Sequence, residues 1–392
     1  DRDVTGVQTC ALPIWEKDES KIGLSMENEI DKNRRVTDLM QKPEVEADRL
    51  FKLLDSSVQG LRECRLIATA LELGVFEALK VPLSAVTLAE KLGCNPILMP
   101  HFCDALHSLG LLDRFKEGEY EENPQMEENR GAVYLVSELS ATYLLETSPF
   151  SQQHYLAERF RNIDLWARLP QVLRKGPDIV EKGPFFGEIV QCMAENASCG
   201  VLQETVRIVL DNVDFQNVKK MLDLGGGHGL YAIAFAKINE NLQAFVFDLP
   251  YVTEKTKHFI EKHRASNVDV IPGDFFKDEI GNGYDLIFSS FNPGGKVPSL
   301  IPKIAEALNP GGIFITRQVP DEKMESSPLL SLDWNLWTFE DVKKGGSGYS
   351  FENSIPFSEY IEMLGNYGLE VFQSLDMGGA SRIVFARKIA SF

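Results

Sequence analysis

A run of glycines between two apolar segments is the feature of this sequence with the clearest chemical meaning. The segment MLDLGGGHGLYAIAFA covers residues 221–236. Glycine adopts positive φ without strain and lets a ligand approach the main chain, so we predict a strand, a cofactor-binding turn and a helix. The acid and glycines are spaced Asp-x-Gly-x-Gly-x-Gly, from Asp223 through Gly225 and Gly227 to Gly229. This spacing differs from the Gly-x-Gly-x-x-Gly of dinucleotide sites.

The acid that precedes the turn indicates which cofactor the turn accepts. A dinucleotide brings a pyrophosphate to such a turn, whereas S-adenosylmethionine brings an amino acid and a sulfonium. A carboxylate attracts an ammonium and a cationic sulfur and repels a phosphate. Asp223, Gly225 and Gly227 therefore favour S-adenosylmethionine as the cofactor.

Two further acids stand at the ends of the next two apolar runs. Asp248 ends AFVFD, where an acid accepts hydrogen bonds from both ribose hydroxyls. Asp274, in PGDFF, is placed to accept the adenine amino group, with Phe275 beside the ring. Three acids at the carboxyl ends of consecutive strands make a more specific pattern than any one of them alone. No metal site is expected, because the six cysteines form no CxxC pair and have no histidine at zinc spacing.

The elements that must position these residues alternate between strands and helices from residue 218 onward. The strand-like runs MLDL, AFVFD, VDVIP, YDLIFS and GIFITRQ are separated by helical stretches, which predicts a doubly wound parallel sheet. The last two runs, residues 370–374 and 382–388, are too close for a crossover helix, so we expect an antiparallel pair at one sheet edge. This α/β fold, a Rossmann-like sheet that is mostly parallel with a reversed edge hairpin, is that of the class I methyltransferases.

The preceding chain is mainly helical. Residues 46–145 read as short helices and a two-stranded wing around the polar loop at 118–131, which predicts a winged-helix dimerisation domain. Residues 146–217 are predicted to form a helical linker that lines the substrate pocket, and residues 218–392 the cofactor-binding catalytic domain. Residues 1–45 are expected to be a disordered or artefactual extension, because residues 1–14 resemble translated sequencing-adapter sequence.

Charge and cysteine use narrow the range of partners and compartments. The formal net charge of −18 argues against nucleic acid and against an anionic membrane surface. The predicted recognition helix, residues 95–109, contains no Arg or Lys, so the winged helix is not expected to bind DNA. The cysteine pattern and the absence of a signal-peptide pattern favour a cytoplasmic protein.

Several motifs together resemble a known family. The segments ALELGVFEAL, LAEKLG, DLGGGHG, FDLP, GDFF, ALNPGGIFI and SLDWNLWTFED are similar to those of the O-methyltransferase family that includes acetylserotonin, caffeic acid and bacterial polyketide O-methyltransferases. The resemblance implies a small-molecule acceptor and a homodimer formed through the N-terminal domain. It assigns cofactor contacts to Gly225, Gly227, Asp248, Asp274 and Phe275, with Ser290 as a further polar contact.

The catalytic histidine of that family has no counterpart here. Relatives carry His-Asp-Trp after the fourth strand, where this chain reads YDLIFSSFNPGGKVPS, and the histidine position falls at about Gly294. His154, in the segment expected to line the pocket, is the alternative base or substrate contact. Without a base, alignment with the sulfonium still favours transfer. A thiol is partly ionised near neutral pH and a phenol mostly protonated, so sulfur and oxygen acceptors both stay open.

The acceptor side of the pocket is predicted from aromatic and acidic residues. Tyr155 belongs to the linker, and Asp333, Trp334 and Trp337 lie on the segment that caps the acceptor pocket in relatives. The leading interpretation is a methyltransferase acting on sulfur or oxygen of a small molecule. The alternatives are a C-methyltransferase, a family member that has lost methyl transfer, and one that uses the cofactor for decarboxylation or hydroxylation.

Overall fold

The computed structural model describes residues 43–115, 132–292, 294–321, 327–340, 344, 353–378 and 380–389. Most of the predicted N-terminal extension and the polar loop at 118–131 lie outside the described residues. The chain divides into two compact units, Asp1–Ser57 and Val58–Phe392. The three boundaries predicted between the four segments differ from this division and stay a prediction. None of the described helices combines the length and the apolar character needed to cross a membrane.

The N-terminal part is mainly helical and contains a small antiparallel sheet in the order β1-β3-β2. A leucine and alanine core, including Leu79, Leu88 and Leu106, joins its helices. The sequence did not predict β1, which pairs Leu83 with Tyr134. The elements are α1 (Asp48–Glu72), α2 (Val75–Ala78), β1 (Leu83–Ser84), α3 (Ala85–Leu92), α4 (Met99–Ser108), β2 (Leu112–Phe115), β3 (Val133–Val136) and α5 (Glu138–Tyr143).

The middle of the chain is helical, with one two-residue strand. β4 pairs in parallel with a distant short strand, β10 (Trp337–Thr338), which links this segment to the C-terminal part. Leu165 and Val172 pack on Leu336 at the same junction. The elements are α6 (Gln153–Ala167), α7 (Leu169–Lys175), β4 (Asp178–Ile179), α8 (Lys182–Ser198) and α9 (Val201–Asn212).

The C-terminal part is built on a seven-stranded sheet in the order β11-β12-β9-β8-β5-β6-β7. Five neighbouring strands of this sheet, β7, β6, β5, β8 and β9, are parallel. β12 runs antiparallel to both β9 and β11, which confirms the predicted reversed edge pair. The strands are β5 (Lys220–Leu224), β6 (Gln243–Asp248), β7 (Val268–Pro272), β8 (Tyr284–Ser290), β9 (Leu308–Gln318), β11 (Leu369–Asp376) and β12 (Arg382–Lys388).

Helices cover both faces of this sheet and bury its apolar side chains in two clusters. β8 and β9 contribute Phe288 and Phe314, and both side chains are fully buried. The strand order reverses between β5 and β8, and a ligand crevice forms at such a switch point, outside the carboxyl ends of the strands. The helices are α10 (Leu230–Ile238), α11 (Pro250–His263), α12 (Ile301–Ala307), α13 (Pro328–Asn335) and α14 (Phe357–Leu364).

Candidate active site

The glycine turn follows β5 and carries the backbone conformation predicted for it. Gly225, Gly227 and Gly229 have φ of 67°, 53° and 70°, values that L side chains rarely adopt. A Cβ at Gly225 would also lie 2.7 Å from Cβ of Asn292, so that position has no room for a side chain. His228 is buried in the turn, where its Nδ1 accepts the Leu230 N–H at 3.0 Å. Burial lowers the pKa of this histidine to about 4, so it is neutral.

Asp223 packs closely against Gly226 of the glycine turn. Its side chain is 1% exposed, and a Cβ at Gly226 would lie 2.5 Å from its Cγ. Burial raises the pKa of this carboxyl to about 7, and Oδ2 has no hydrogen-bond partner among the described residues. Asp223 is not among the residues that line the cleft described below. Its contact with the cofactor stays a prediction.

Asp248, at the end of β6, connects the second strand to the glycine turn. Its Oδ2 accepts the Gly227 N–H at 2.9 Å, and its Oδ1 accepts the Leu249 N–H at 2.7 Å. Burial raises the pKa of this carboxyl, and the two backbone N–H groups oppose that rise. Each carboxylate oxygen has a second lone pair, so this geometry leaves acceptor capacity for a ligand hydroxyl.

Asp274 and Phe275 follow β7 at the same edge of the sheet. Oδ1 of Asp274 accepts the Phe276 N–H at 3.0 Å, and its Oδ2 lies 3.0 Å from Nζ of Lys277. Phe275 is buried and packs edge-on against Phe276 with ring centroids 4.7 Å apart. An acid and an aromatic ring thus stand together where the sequence predicts the adenine site.

A single cleft of about 1960 Å³ joins this edge of the sheet to the helical segment before β5. It is lined by ten of the twelve residues predicted for the site, while Asp223 and His154 are not among its lining residues. The ten are Tyr155, Gly225, Gly227, Asp248, Asp274, Phe275, Ser290, Asp333, Trp334 and Trp337.

The far side of the cleft is aromatic. Phe185 and Phe186, at the start of α8, face β10 and the residue that follows it. Phe185 and Trp337 have ring centroids 4.9 Å apart, and Phe186 stacks on Phe339 at 5.4 Å. Tyr251 extends this aromatic cluster towards Asp248, with its ring stacked on Phe186 at 6.2 Å. Flat rings at these separations form a wall against which a planar ligand packs favourably.

Asp333 is fixed beside the aromatic cluster by a residue of α6. The indole Nε1 of Trp166 donates to Oδ1 of Asp333 at 2.6 Å. Lys344 lies over the Trp334 and Trp337 rings and donates to both of their carbonyl oxygens at 2.6 Å. Burial lowers the pKa of this lysine to about 8. The two predicted tryptophans are therefore held in place by a cation.

His154 lies apart from the cleft, on α6. Its imidazole is 62% exposed, and Nδ1 lies 2.6 Å from Oε1 of Glu195. Oε2 of the same carboxylate accepts the backbone N–H groups of His154 and Tyr155. Glu195 therefore caps the beginning of α6, and the structure does not place His154 where it would deprotonate a ligand in the cleft.

Sequence reasoning missed three polar residues that line the cleft after β8 and β9. Asn292 donates through Nδ2 to the Leu224 carbonyl at 2.5 Å and lies over Gly225. Gln318, which ends β9, and Lys296 line the same wall. The sequence places each of them near a strand end, but no motif marks them, because their role depends on contacts between segments far apart in the chain.

The two glycines in this loop are closely surrounded. A Cβ at Gly294 would lie 2.4 Å from Cδ1 of Leu300 and 2.9 Å from the Phe275 ring, and one at Gly295 would lie 1.7 Å from Nε2 of Gln318. A side chain at Gly294 would have to displace the buried side chains of Leu300 and Phe275, whereas one at Gly295 would meet first the flexible end of Gln318. Among the residues that the structure describes, no group of three or more histidine, cysteine or acidic side chains is arranged to hold a metal ion.

Comparison with known proteins agrees with this geometry. Residues 190–335 match an O-methyltransferase domain, and residues 56–146 match an O-methyltransferase dimerisation domain. An uncharacterized protein of Methanocaldococcus jannaschii is 36% identical to this chain, over 86% of this chain and 89% of its own length.

The chain belongs to the O-methyltransferase family.

Two acetylserotonin methyltransferases are similar to this chain at lower identity. The acetylserotonin O-methyltransferase of Rattus norvegicus is 28% identical over 74% of this chain and 68% of its own length. The crystal structure of human N-acetylserotonin methyltransferase in complex with SAM has a TM-score of 0.65 at 23% identity, covering 89% of this chain and 100% of that chain. At that identity the likeness shows the class I fold. The family assignment makes this chain an S-adenosylmethionine-dependent methyltransferase.

Proposed function

We propose that this chain transfers the methyl group of S-adenosylmethionine to an oxygen or sulfur atom of a small planar molecule, without a histidine base. The observation that carries this proposal is that the glycine turn, the strand-end acids and the aromatic cluster line one cleft. A cofactor held at one end and an acceptor held at the other are brought into the alignment that methyl transfer requires.

The cofactor half of the proposal rests on the fit of the cleft to an adenosine and an amino acid. Gly225 and Gly227 present backbone to the cleft, and Asp248 retains lone pairs for the ribose hydroxyls. Asp274 and Phe275 are assigned to the adenine, and Ser290 to a further polar contact. Bound there, the cofactor supplies an activated methyl group, and the residues of the chain supply its position.

The acceptor half rests on the aromatic cluster. Phe186, Trp337 and Phe339 favour a flat and largely apolar molecule, and Asp333 accepts a hydrogen bond from a polar group on it. Tyr155 and Trp334 complete the side that α6 and α13 contribute. Enough hydrophobic surface is available to orient the acceptor by packing alone.

If no histidine acts as the base, the acceptor must lose its proton by another route. Counted from Asp285, the position of the family histidine falls at about Gly294, where a Cβ would meet Leu300 and Phe275. The acceptor therefore ionises before transfer and releases its proton to water, or it carries no proton, as in a thioether. Its lone pair then forms the bond to the methyl carbon while the carbon–sulfur bond of the sulfonium breaks.

We also propose that the protein is a homodimer formed through its N-terminal domain. The dimerisation-domain match covers residues 56–146. Leu50, Leu54, Val58 and Leu61 follow one another at three- and four-residue spacing on α1, and all four side chains are exposed in the single chain. A second copy would cover this apolar surface.

The deciding experiment is product mass spectrometry with methyl-deuterated S-adenosylmethionine and a pool of phenols, thiols and thioethers. We expect a labelled methyl ether, methyl thioether or sulfonium. A label on carbon would replace this proposal by C-methylation. Cofactor binding without any labelled product would identify a family member that has lost methyl transfer.

The pH dependence of the reaction tests the absence of a base separately. With a series of acceptors of different acidity, the midpoint of the kcat/KM profile should follow the pKa of each acceptor. A midpoint that stays constant across the series would reveal a base on the enzyme and contradict this part of the proposal.

A further inference from the structure

Two residues in the wall of the cleft have a backbone conformation that side chains rarely adopt. In the part of the chain that the structure describes, three residues other than glycine have positive φ: Arg264, Phe291 and Ala380. Phe291, with φ of 53°, and Ala380, with φ of 58°, both line the cleft. Strained backbone persists only where the surrounding structure holds it, and it is concentrated at binding and active sites. The two strained residues therefore single out this part of the wall.

One buried arginine contacts Phe291 and the residue after Ala380. Arg317, near the end of β9, is 3% exposed, and its Cζ lies 4.5 Å from the centroid of the Phe291 ring. Its carbonyl oxygen also accepts the Phe291 N–H at 3.0 Å. The guanidinium donates to Oγ of Ser381 through Nε at 3.2 Å and Nη2 at 3.1 Å, and to the Tyr231 hydroxyl through Nη1 at 3.3 Å. Arg317 is thus fixed on three sides and holds Phe291 through both main chain and side chain.

Arg317 acts on the cleft through its neighbours, because it is not among the residues that line the cleft. A guanidinium over an aromatic ring is attracted to it, and more strongly where water is excluded. The attraction is permanent, since arginine keeps its proton in proteins. The Phe291 side chain is 42% exposed, so its contact with Arg317 leaves part of the ring open to the cleft.

The strand order places Phe291 on the acceptor side of the proposed cofactor site. Neighbouring strands follow one another as β9, β8, β5, β6 and β7. The proposed ribose and adenine contacts, Asp248 and Asp274, lie at the ends of β6 and β7, and the glycine turn follows β5. Phe291 follows β8, on the other side of the turn from these acids. With the adenosine along β6 and β7, the space beside Phe291 is left for the acceptor.

We propose that Phe291 packs against the acceptor beside the methyl group, and that Arg317 is the positioning residue that holds Phe291 in its strained conformation. This inference rests on the proposed function and makes it more specific, because it adds an apolar wall at the carboxyl end of β8 to the aromatic cluster. A ring held rigidly at this point limits how a flat acceptor lies. Small errors of alignment cost much of the rate of a transfer reaction.

The first measurement tests whether the strain is present. At negative φ in regular structure alanine is more stable than glycine, whereas at positive φ the order is reversed, because glycine has no Cβ. Phe291→Gly should therefore unfold at a higher urea concentration than Phe291→Ala. Arg264 has the same φ of 53° at the end of α11, outside the cleft, so Arg264→Gly and Arg264→Ala form the matched control pair with the same order. A Phe291→Ala variant more stable than Phe291→Gly would overturn the inference.

The second measurement tests acceptor binding without turnover. The probe is 2-naphthol, a planar molecule, and equilibrium dialysis gives its dissociation constant for protein saturated with S-adenosylhomocysteine. Phe291→Ala and Phe291→Gly should each weaken binding of 2-naphthol about 10-fold, as for the loss of an aromatic contact. Arg264→Gly should bind it like the wild type.

Calorimetry of S-adenosylhomocysteine binding distinguishes a wall for the acceptor from one for the cofactor. We expect the affinity for S-adenosylhomocysteine to be unchanged in Phe291→Ala. A loss there as large as the loss for 2-naphthol would place the ring against the cofactor and overturn the inference. Unchanged 2-naphthol binding in Phe291→Ala would also overturn it, as would a wild type that does not bind 2-naphthol.

A double-mutant cycle tests the role of Arg317. Arg317→Gln removes the charge and should weaken 2-naphthol binding, and Arg317→Lys, which keeps a charge, should weaken it less. On the Phe291→Ala background either change should have no further effect, because a residue that acts through another then has nothing to position. Losses that multiply would overturn the positioning role. Urea unfolding shows whether each variant folds, and the cycle with Arg317→Lys does not depend on Arg317→Gln.

These binding measurements separate the inference from the proposed function. Labelled product in the wild type with unchanged 2-naphthol binding in Phe291→Ala would leave methyl transfer standing and remove the role of Phe291. Binding of 2-naphthol that depends on Phe291 and Arg317, without any labelled product, would keep their roles in holding the acceptor and remove the proposed transfer.

Discussion

Among single residues, Asp248 combines a structural and a ligand-binding role, since it holds the Gly227 N–H while it lines the cleft. Asp248→Ala should weaken binding of S-adenosylhomocysteine by about 1.5–3 kcal/mol, the range for a hydrogen bond to a charged group. Isothermal titration calorimetry measures this loss. Asp269→Ala is the control, because that carboxylate binds Gln243 on the exposed surface. Unchanged affinity in the Asp248 variant would remove the ribose assignment.

Asp223 is predicted to make stability depend on pH. Its pKa rises from 3.8 to about 7 in the folded state because of burial. Between these values the unfolded chain has lost the proton and the folded chain keeps it, so the free energy of unfolding falls as pH rises. Asparagine does not titrate, so the stability of Asp223→Asn does not fall in this way. Its free energy of unfolding relative to the wild type should rise by up to about 1.4 kcal/mol per pH unit across this window. Urea unfolding at pH 5, 6 and 7 measures the difference, and a constant difference would contradict the raised pKa.

At the level of elements, the longer strands could be predicted from the sequence more fully than the two-residue strands and the contacts between distant segments. The alternation of apolar runs located β5 to β9 within a few residues, because parallel strands buried on both faces are continuously apolar. β1 and β10 were missed, since two-residue strands form through pairing with Tyr134 and Asp178 and carry no period of their own. In the site, too, the residues at strand ends could be predicted, and the contacts between distant segments could not. Asp248 and Asp274 follow from strand ends, whereas the burial of Asp223 and the approach of Asn292 to Gly225 depend on tertiary packing.

The loop after β8 is expected to be intolerant of side chains. Gly294→Ala places a methyl group against Leu300 and Phe275, and overpacking of this kind costs about 1–3 kcal/mol. Gly365→Ala is the matched control, because a Cβ there meets no atom within 4 Å. Urea unfolding should show a loss for the first variant alone. If Gly294→His proved as stable as the wild type, the loop would have room for the family base and the proposed base-free reaction would lose its structural reason.

At the scale of the whole molecule, we expect the N-terminal domain to join two copies of the chain. Leu53 is 63% exposed and Leu54 is 50% exposed on α1, a helix that begins before the dimerisation-domain match and continues into it. Leu54 belongs, with Leu50, Val58 and Leu61, to the exposed apolar side chains at three- and four-residue spacing on α1, and Leu53 directly precedes it. Apolar side chains at this spacing form a stripe that a partner helix would cover. The double variant Leu53→Glu and Leu54→Glu would bury charge in that contact, so it should shift the protein from dimer to monomer in analytical ultracentrifugation. Leu173→Glu, at an equally exposed leucine on α7, should leave the dimer intact. A wild type that sediments as a monomer, or a double variant that remains dimeric, would show that this surface of α1 does not join two copies.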